Sequence, residues 1–161
     1  MPSGPFAHVC LLVEDLDAAV ADWTKILGVL DPGQLQEPHV RYDDFTGGDD
    51  AMRWVTFVSV QGAEIQLCEP APGTPLGKRL EKHGEGVHHI CFTTPDVPAA
   101  MKELGEAGLA VDGENTYSDP DVPWQEWSWV LPKSAHGVLV EVAKPYRAVD
   151  RKWQPGEGAA P

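Results

Sequence analysis

The 161-residue chain is short of positive charge: 12 Lys and Arg stand against 25 Asp and Glu, a formal charge of -13 at neutral pH. A field of that sign repels nucleic acid and anionic lipid at range, which excludes both as partners. An anionic small molecule then needs a local group of cations, or a bound metal, to be held. Cysteine is scarce and odd in number. Cys10, Cys68 and Cys91 give no paired framework in a chain long enough to build its own core, so they read as reduced thiols. Long apolar runs are missing as well. No stretch reaches the ~18 residues of a membrane span, and "MPSGPFAHVC" lacks the basic start and apolar middle of a secretory signal. A cytoplasmic protein with no membrane partner is expected. Hydrophobic residues make up 42% of the chain and recur throughout it, which excludes wholesale disorder and fits one domain over residues 1–161.

What the chain does contain is a copy of itself. "HVCLLVEDLDAAV" (8–20) sets over "HICFTTPDVPAAM" (89–101) without a gap, matching His8 with His89, Cys10 with Cys91 and Asp15 with Asp96. Each copy opens as a short alternating strand, passes an Asp that caps a helix, and continues with apolar residues at helical spacing. The first helix carries Ala19, Val20, Trp23, Ile26 and Leu27 and is expected to stop at Gly28. The second carries Ala100, Met101, Leu104 and Ala107 and stops at Gly108. Later in each copy "IQLCEP" (65–70) sets against "VEVAKP" (140–145), which matches Gln66 with Glu141 at the ends of two hairpins. The spacing predicts module one at about 5–70, a Pro/Gly-rich link at about 71–85 holding a short helix, module two at about 86–145, and a tail over 146–161. Two such modules give an α+β domain with an approximate twofold axis.

A twofold axis brings matched positions to one place, so His8 and His89 are expected to meet, with Gln66 and Glu141 alongside. Two imidazole nitrogens and two side-chain oxygens suit Zn, Co, Mn, Ni or Fe and suit Mg less well. The ordinary alternative is a pair of part-buried histidines and an edge carboxylate, and the repetition of the set at matched places is what favours a metal. Strand alternation puts His88 on the opposite face from His89. Each cysteine lies two residues beyond a proposed ligand, on the same face, and reads as small apolar packing beside the site.

The segments "HVCLLVEDLDAAVADWTKILG" (8–28), "EIQLCEP" (64–70), "LEKHGEGVHHICF" (80–92) and "LPKSAHGVLVEV" (131–142) resemble, in order and separation, the vicinal oxygen chelate (glyoxalase/bleomycin-resistance/dioxygenase) superfamily, and within it the methylmalonyl-CoA epimerase family. The resemblance implies two paired βαβββ modules forming a curved mixed sheet around a cleft with one divalent metal, held by His8, Gln66, His89 and Glu141. Gln66 is the informative ligand, because many relatives have glutamate or histidine there. It further implies a homodimer, an acyl-CoA substrate, and an isomerase that removes a proton beside a carbonyl and returns it to the opposite face, with Glu141 as metal ligand and one acid/base.

One departure from that family pattern stands out. Its best-known members have a glutamate on the strand before the Gln66 strand, whereas "WVTFVSV" (54–60), like other close relatives, has no carboxylate there. The second base is therefore unassigned. Glu64 is a candidate, with an exposed edge charge as its ordinary reading, and Asp49 and Asp50 lie nearby in a turn. Lys78, Arg79 and Lys82 are the cations available for coenzyme A, or else a solvated helical face. Trp54, Trp124, Trp127 and Trp129 read as core packing before a flat apolar pocket. In the tail, "RKW" (151–153) either covers the cleft or crosses to a neighbouring subunit, and the closing Gly/Ala/Pro residues are expected to be disordered. A ring-cleaving dioxygenase, a glyoxalase-type isomerase or lyase, and a small-molecule-binding resistance protein are the alternatives on the same fold.

Overall fold

Strand β1 (Phe6–Leu12) buries every second side chain, His8, Cys10 and Leu12, and then turns into helix α1 (Leu16–Leu30) through an Asp cap. The Asp15 carboxylate accepts the Ala18 N–H at 3.0 Å, satisfying one of the helix's orphan donors. The same device recurs in the second copy, where β5 (Gly86–Thr93) leads into α3 (Val97–Glu106) and Asp96 accepts the Ala99 N–H at 3.0 Å. The computed structural model describes residues 6–46, 48–59, 62–112, 116–120 and 122–157.

Each helix is followed by three strands: β2 (Val40–Thr46), β3 (Met52–Phe57) and β4 (Glu64–Pro70) in module one, β6 (Tyr117–Asp119), β7 (Val122–Val130) and β8 (Val140–Ala143) in module two. They join into one mixed eight-stranded sheet, ordered β2-β3-β4-β1-β5-β8-β7-β6. β1 runs parallel to β4, and β5 parallel to β8, while the remaining neighbours are antiparallel. The seam between modules is the antiparallel pair β1–β5, in which His8 faces Cys91 and Cys10 faces His89. That reciprocal register is what an internal twofold axis requires.

The sheet curls so that its two faces bury different things. On the outer face α1 sets Leu16 and Leu27 on Val55, Phe57 and Leu67, and α3 sets Val97 and Met101 on Val130 and Val142. On the inner face Cys10, Leu12, Val40, Trp54 and Cys68 pack with Leu80 and Trp153. Leu80 belongs to the link helix α2 (Pro75–His83), which starts at a Thr74 cap and stops at Gly84, whose φ of 77° suits glycine. Gly28 does not end α1. The helix runs two residues further, because Pro32 rather than glycine is the breaker there, and Asp31 closes it with an N–H to the Leu27 carbonyl at 2.8 Å.

The tail folds back on its own chain. β9 (Tyr146–Val149) and β10 (Lys152–Pro155) form a hairpin against β2, with the Arg41 N–H donating to the Arg151 carbonyl at 3.2 Å and the Trp153 N–H to the Tyr42 hydroxyl at 3.1 Å. Trp153 is 4% exposed and packs between Trp54 and Tyr146, so the tryptophan of "RKW" covers the inner groove of its own chain, while Arg151 and Lys152 are exposed. The terminal residues for which composition predicts disorder fall at 158–161, outside the described residues. Replacing Trp153 with alanine is expected to cost ~3–5 kcal/mol, because it empties a packed site that the sheet cannot close over, and urea unfolding measures it. Among the described residues no helix is long and apolar enough to cross a membrane.

Candidate metal centre

His8 of β1, His89 of β5 and Glu141 of β8 project from the inner face at the seam, and all three are buried. The two Nε2 atoms lie 3.1 Å apart. Glu141 Oε2 sits 2.6 Å from Nε2 of His89 and 3.6 Å from Nε2 of His8, so three donor atoms converge on one point. Register explains why. Glu141 is beside Cys91 in the parallel β5–β8 pair, just as Gln66 is beside Cys10 in β1–β4. Gln66 borders the same cavity. Its amide nitrogen donates to the Thr56 hydroxyl at 3.2 Å, which leaves the amide oxygen as its donor atom toward a cation. That oxygen also lies 3.8 Å from the Cys68 thiol.

Electrostatics keeps the set ready for a cation. Burial pushes the Glu141 carboxyl up, but the imidazoles of His89 and His8 outweigh it and hold the group below the usual carboxylate range. Burial lowers His8, against the pull of Glu141, which favours the neutral ring that ligates metals. The thiols are neutral packing: Cys10 is raised by its contact with Cys68, 3.4 Å away, and by burial, and Cys91 is raised by burial. Cys10 lies near His88 and His89, and Cys91 near His8 and Glu141, within 4.8 Å atom to atom. Two facing imidazole nitrogens and a committed carboxylate fit a borderline divalent ion.

His88 departs from the strand rule. The β1–β5 register jumps from Cys10 opposite His89 to Leu11 opposite Val87, so His88 is the extra residue of a β-bulge. Alternation fails there, and His88 turns to the His89 side, with its Nδ1 2.8 Å from Nδ1 of His89 and its ring bordering the cavity. Burial, then His89, lowers its pKa to about 4, so it is neutral. Trp129 meets both rings edge-on.

The triad opens into a cavity of ≈ 720 Å³ walled by Met52, Trp54, Leu76, Trp127 and Trp129. The tryptophans expected in the core thus divide their roles: Trp54 packs in it and faces the cavity, Trp127 and Trp129 face the cavity, and Trp124 packs against the inner core. Glu64 is no exposed edge charge. It is 8% exposed, its Oε2 accepts the Ser59 N–H at 2.9 Å, and burial raises its pKa to about 7 against that bond and one from Tyr146. It borders a second cavity of ≈ 980 Å³, and Tyr146 and Trp153 border both. Among the described residues, the carboxylates that border this first cavity besides Glu141 are Asp49, Asp50 and the buried Asp119. Lys78, Arg79 and Lys82 are exposed on α2, and Arg79 is close enough to His88 to depress it. Sequence reading missed Tyr146, whose hydroxyl lies 2.6 Å from Nδ1 of His8, because the tail lies beyond the repeat.

Over residues 7–124 the chain matches the Glyoxalase/Bleomycin resistance protein/Dioxygenase superfamily, a span that takes in His8, Gln66 and His89 and stops short of Glu141. The ethylmalonyl-CoA/methylmalonyl-CoA epimerase of Cereibacter sphaeroides is 32% identical over 143 residues, covering 86% of this chain and 96% of that protein. Among solved structures, a variant of Streptomyces coelicolor methylmalonyl-CoA epimerase in complex with 2-nitronate-propionyl-CoA is similar with a TM-score of 0.63 at 25% identity, over 88% of this chain and 94% of that one. The methylmalonyl-CoA epimerase of Mycobacterium tuberculosis shares the fold, with a TM-score of 0.67 at 23% identity over 90% and 92% of the two chains.

Proposed function

Because the chain belongs to the glyoxalase/bleomycin resistance/dioxygenase superfamily, we propose that it is a divalent-metal-dependent epimerase acting on the carbon between the thioester and the carboxylate of a 2-alkylmalonyl-CoA. The observation that carries this reading is the convergence of His8, His89 and Glu141 within 3.6 Å at the floor of an aromatic cavity. His8, Gln66, His89 and Glu141 would hold the ion, and Co, Zn, Mn, Ni and Fe all suit that donor set. When bound, the ion supplies Lewis-acid stabilisation of the negative charge that grows on the thioester oxygen, which lets a carboxylate of low basicity take the proton.

The chain's own residues do the rest. Glu141 turns Oε2 toward both imidazoles, leaving Oε1 to exchange the proton at C2 on one face. Trp54, Trp127 and Trp129 exclude water, which strengthens every electrostatic interaction inside. The exposed cations of α2 answer the phosphates of coenzyme A. Asp119, a buried carboxylate on the cavity wall, is the acid/base proposed for the opposite face. Asp119→Asn is expected to slow C2 exchange from one epimer by ~10²–10⁴-fold and spare the other, with metal content unchanged, as epimer-resolved deuterium wash-in reads. Equal slowing of both epimers would move the assignment elsewhere.

The test of the reaction is NMR of the C2 proton when the metal-loaded protein meets each epimer of methylmalonyl-CoA and ethylmalonyl-CoA in D₂O. Exchange with inversion supports the reading. Oxygen-dependent turnover of an aromatic diol without C2 exchange points to a ring-cleaving enzyme. A cytoplasmic location and a homodimer complete the proposal, the latter checked by sedimentation equilibrium.

A further inference from the structure

One line of contacts reaches the triad from outside both modules. Tyr146 opens β9, and its hydroxyl lies 2.6 Å from Nδ1 of His8. Glu64 is close enough to the Tyr146 hydroxyl for each to shift the other's titration, and Glu64 Oε2 takes the Ser59 N–H at 2.9 Å. A backbone N–H can only donate, which makes Glu64 an acceptor at that end. Where the Tyr146 O–H is donated to ionised Glu64, the phenol oxygen is left to accept Nδ1–H of His8. With Glu64 ionised, that arrangement puts the His8 proton on Nδ1 and its lone pair on Nε2, the nitrogen facing His89 and Glu141.

We propose that Tyr146, supported by Glu64, is a positioning residue that fixes the tautomer and ring orientation of His8, so that the C-terminal hairpin sets the metal affinity of the site. The inference rests on the reading of His8 as a metal ligand. An outer partner that holds the second ring nitrogen raises ligand affinity because neither the ring's rotation nor its tautomer has to be paid for on binding.

The hairpin is built to seat Tyr146. The Gly156 N–H donates to the Pro145 carbonyl at 2.8 Å, and a Cβ at Gly156 would come within 2.8 Å of both the Pro145 carbonyl carbon and the Tyr146 nitrogen, an approach open only to glycine. The ring of Tyr146 then packs on Trp153 with centroids 4.3 Å apart. His89 finds its outer partner differently, in His88 of the bulge. The two histidines are related by the internal axis, yet their supports are not. One comes from the strand itself, the other from a segment the duplication never included.

The test is competition for Co²⁺ between the full-length protein and a chromophoric chelator, with the visible absorption of the bound ion as a second readout. Tyr146→Phe is expected to weaken binding ~10–100-fold and to alter the Co²⁺ spectrum, while near-ultraviolet circular dichroism of the metal-free protein stays that of the wild type. Glu64→Gln is expected to weaken binding less, and the double variant no more than Tyr146→Phe alone, because Glu64 acts through Tyr146. Gly156→Ala, which removes no polar group, is expected to weaken binding by displacing the hairpin. If Tyr146→Phe binds Co²⁺ as tightly as wild type while His8→Ala abolishes binding, this inference fails and the site reading stands. Losses from Tyr146→Phe and Glu64→Gln that add in full also overturn it. A wild-type chain that binds no Co²⁺ sinks both.

Discussion

Glu141→Gln is expected to slow C2 proton exchange by ~10²–10⁴-fold, the range that removal of a general acid/base spans. The substitution keeps the size of the side chain and an oxygen at its tip, so the cavity walls stay in place. What it removes is the negative charge and the proton-carrying oxygen. In the wild type that charge is secure, because His89 at 2.6 Å and His8 at 3.6 Å hold the carboxyl below its ordinary range against the effect of burial. Weaker metal binding is also expected, since an amide oxygen is a poorer ligand than a carboxylate. Saturating the variant with metal before measuring exchange separates the two losses. A saturated variant that still exchanges at the wild-type rate would remove Glu141 from the acid/base role and leave it a ligand only.

His89→Ala carries the largest expected loss of metal affinity, well beyond the ~10–100-fold that losing an outer partner costs. It takes away one of two nitrogen donors and the group nearest Glu141. The metal-free variant also loses stability, on the order of 3–5 kcal/mol, because a buried carboxylate loses its closest partner. Any rise in unfolding temperature that added metal gives the wild type should vanish in this variant, since a ligand stabilises only the state that binds it. His88→Ala separates the neighbours. It removes a contact to Nδ1 of His89 but no donor from the triad, so its effect on affinity should be the smaller of the two.

The duplication was legible because it is written in single residues: the match of His8 to His89 and of Cys10 to Cys91 is the same statement as the reciprocal β1–β5 pairing. The Asp15 and Asp96 caps followed from local chemistry and hold in the fold. The placement of Gln66 and Glu141 beside the seam followed from the parallel pairs that close each module. Other features depend on relations that alternation does not carry. His88 faces the site because β5 holds one residue too many against β1, and a bulge leaves no mark in the pattern of apolar positions. Glu64 looks like an edge charge from its neighbours in sequence, but the hairpin that buries it begins 82 residues later, at Tyr146. Trp127 and Trp129 both border the cavity, and only the curl of the sheet decides that they face a cavity rather than a filled core.

Anomalous scattering from a crystal soaked in Co²⁺ or Zn²⁺ tests the central claim most directly. A single peak is expected at about 2.0–2.2 Å from Nε2 of His8, Nε2 of His89 and a Glu141 oxygen, with the Gln66 oxygen completing the set. A peak bound instead by the sulfurs of Cys10 and Cys91, or density at the surface with none between the two imidazoles, would contradict it.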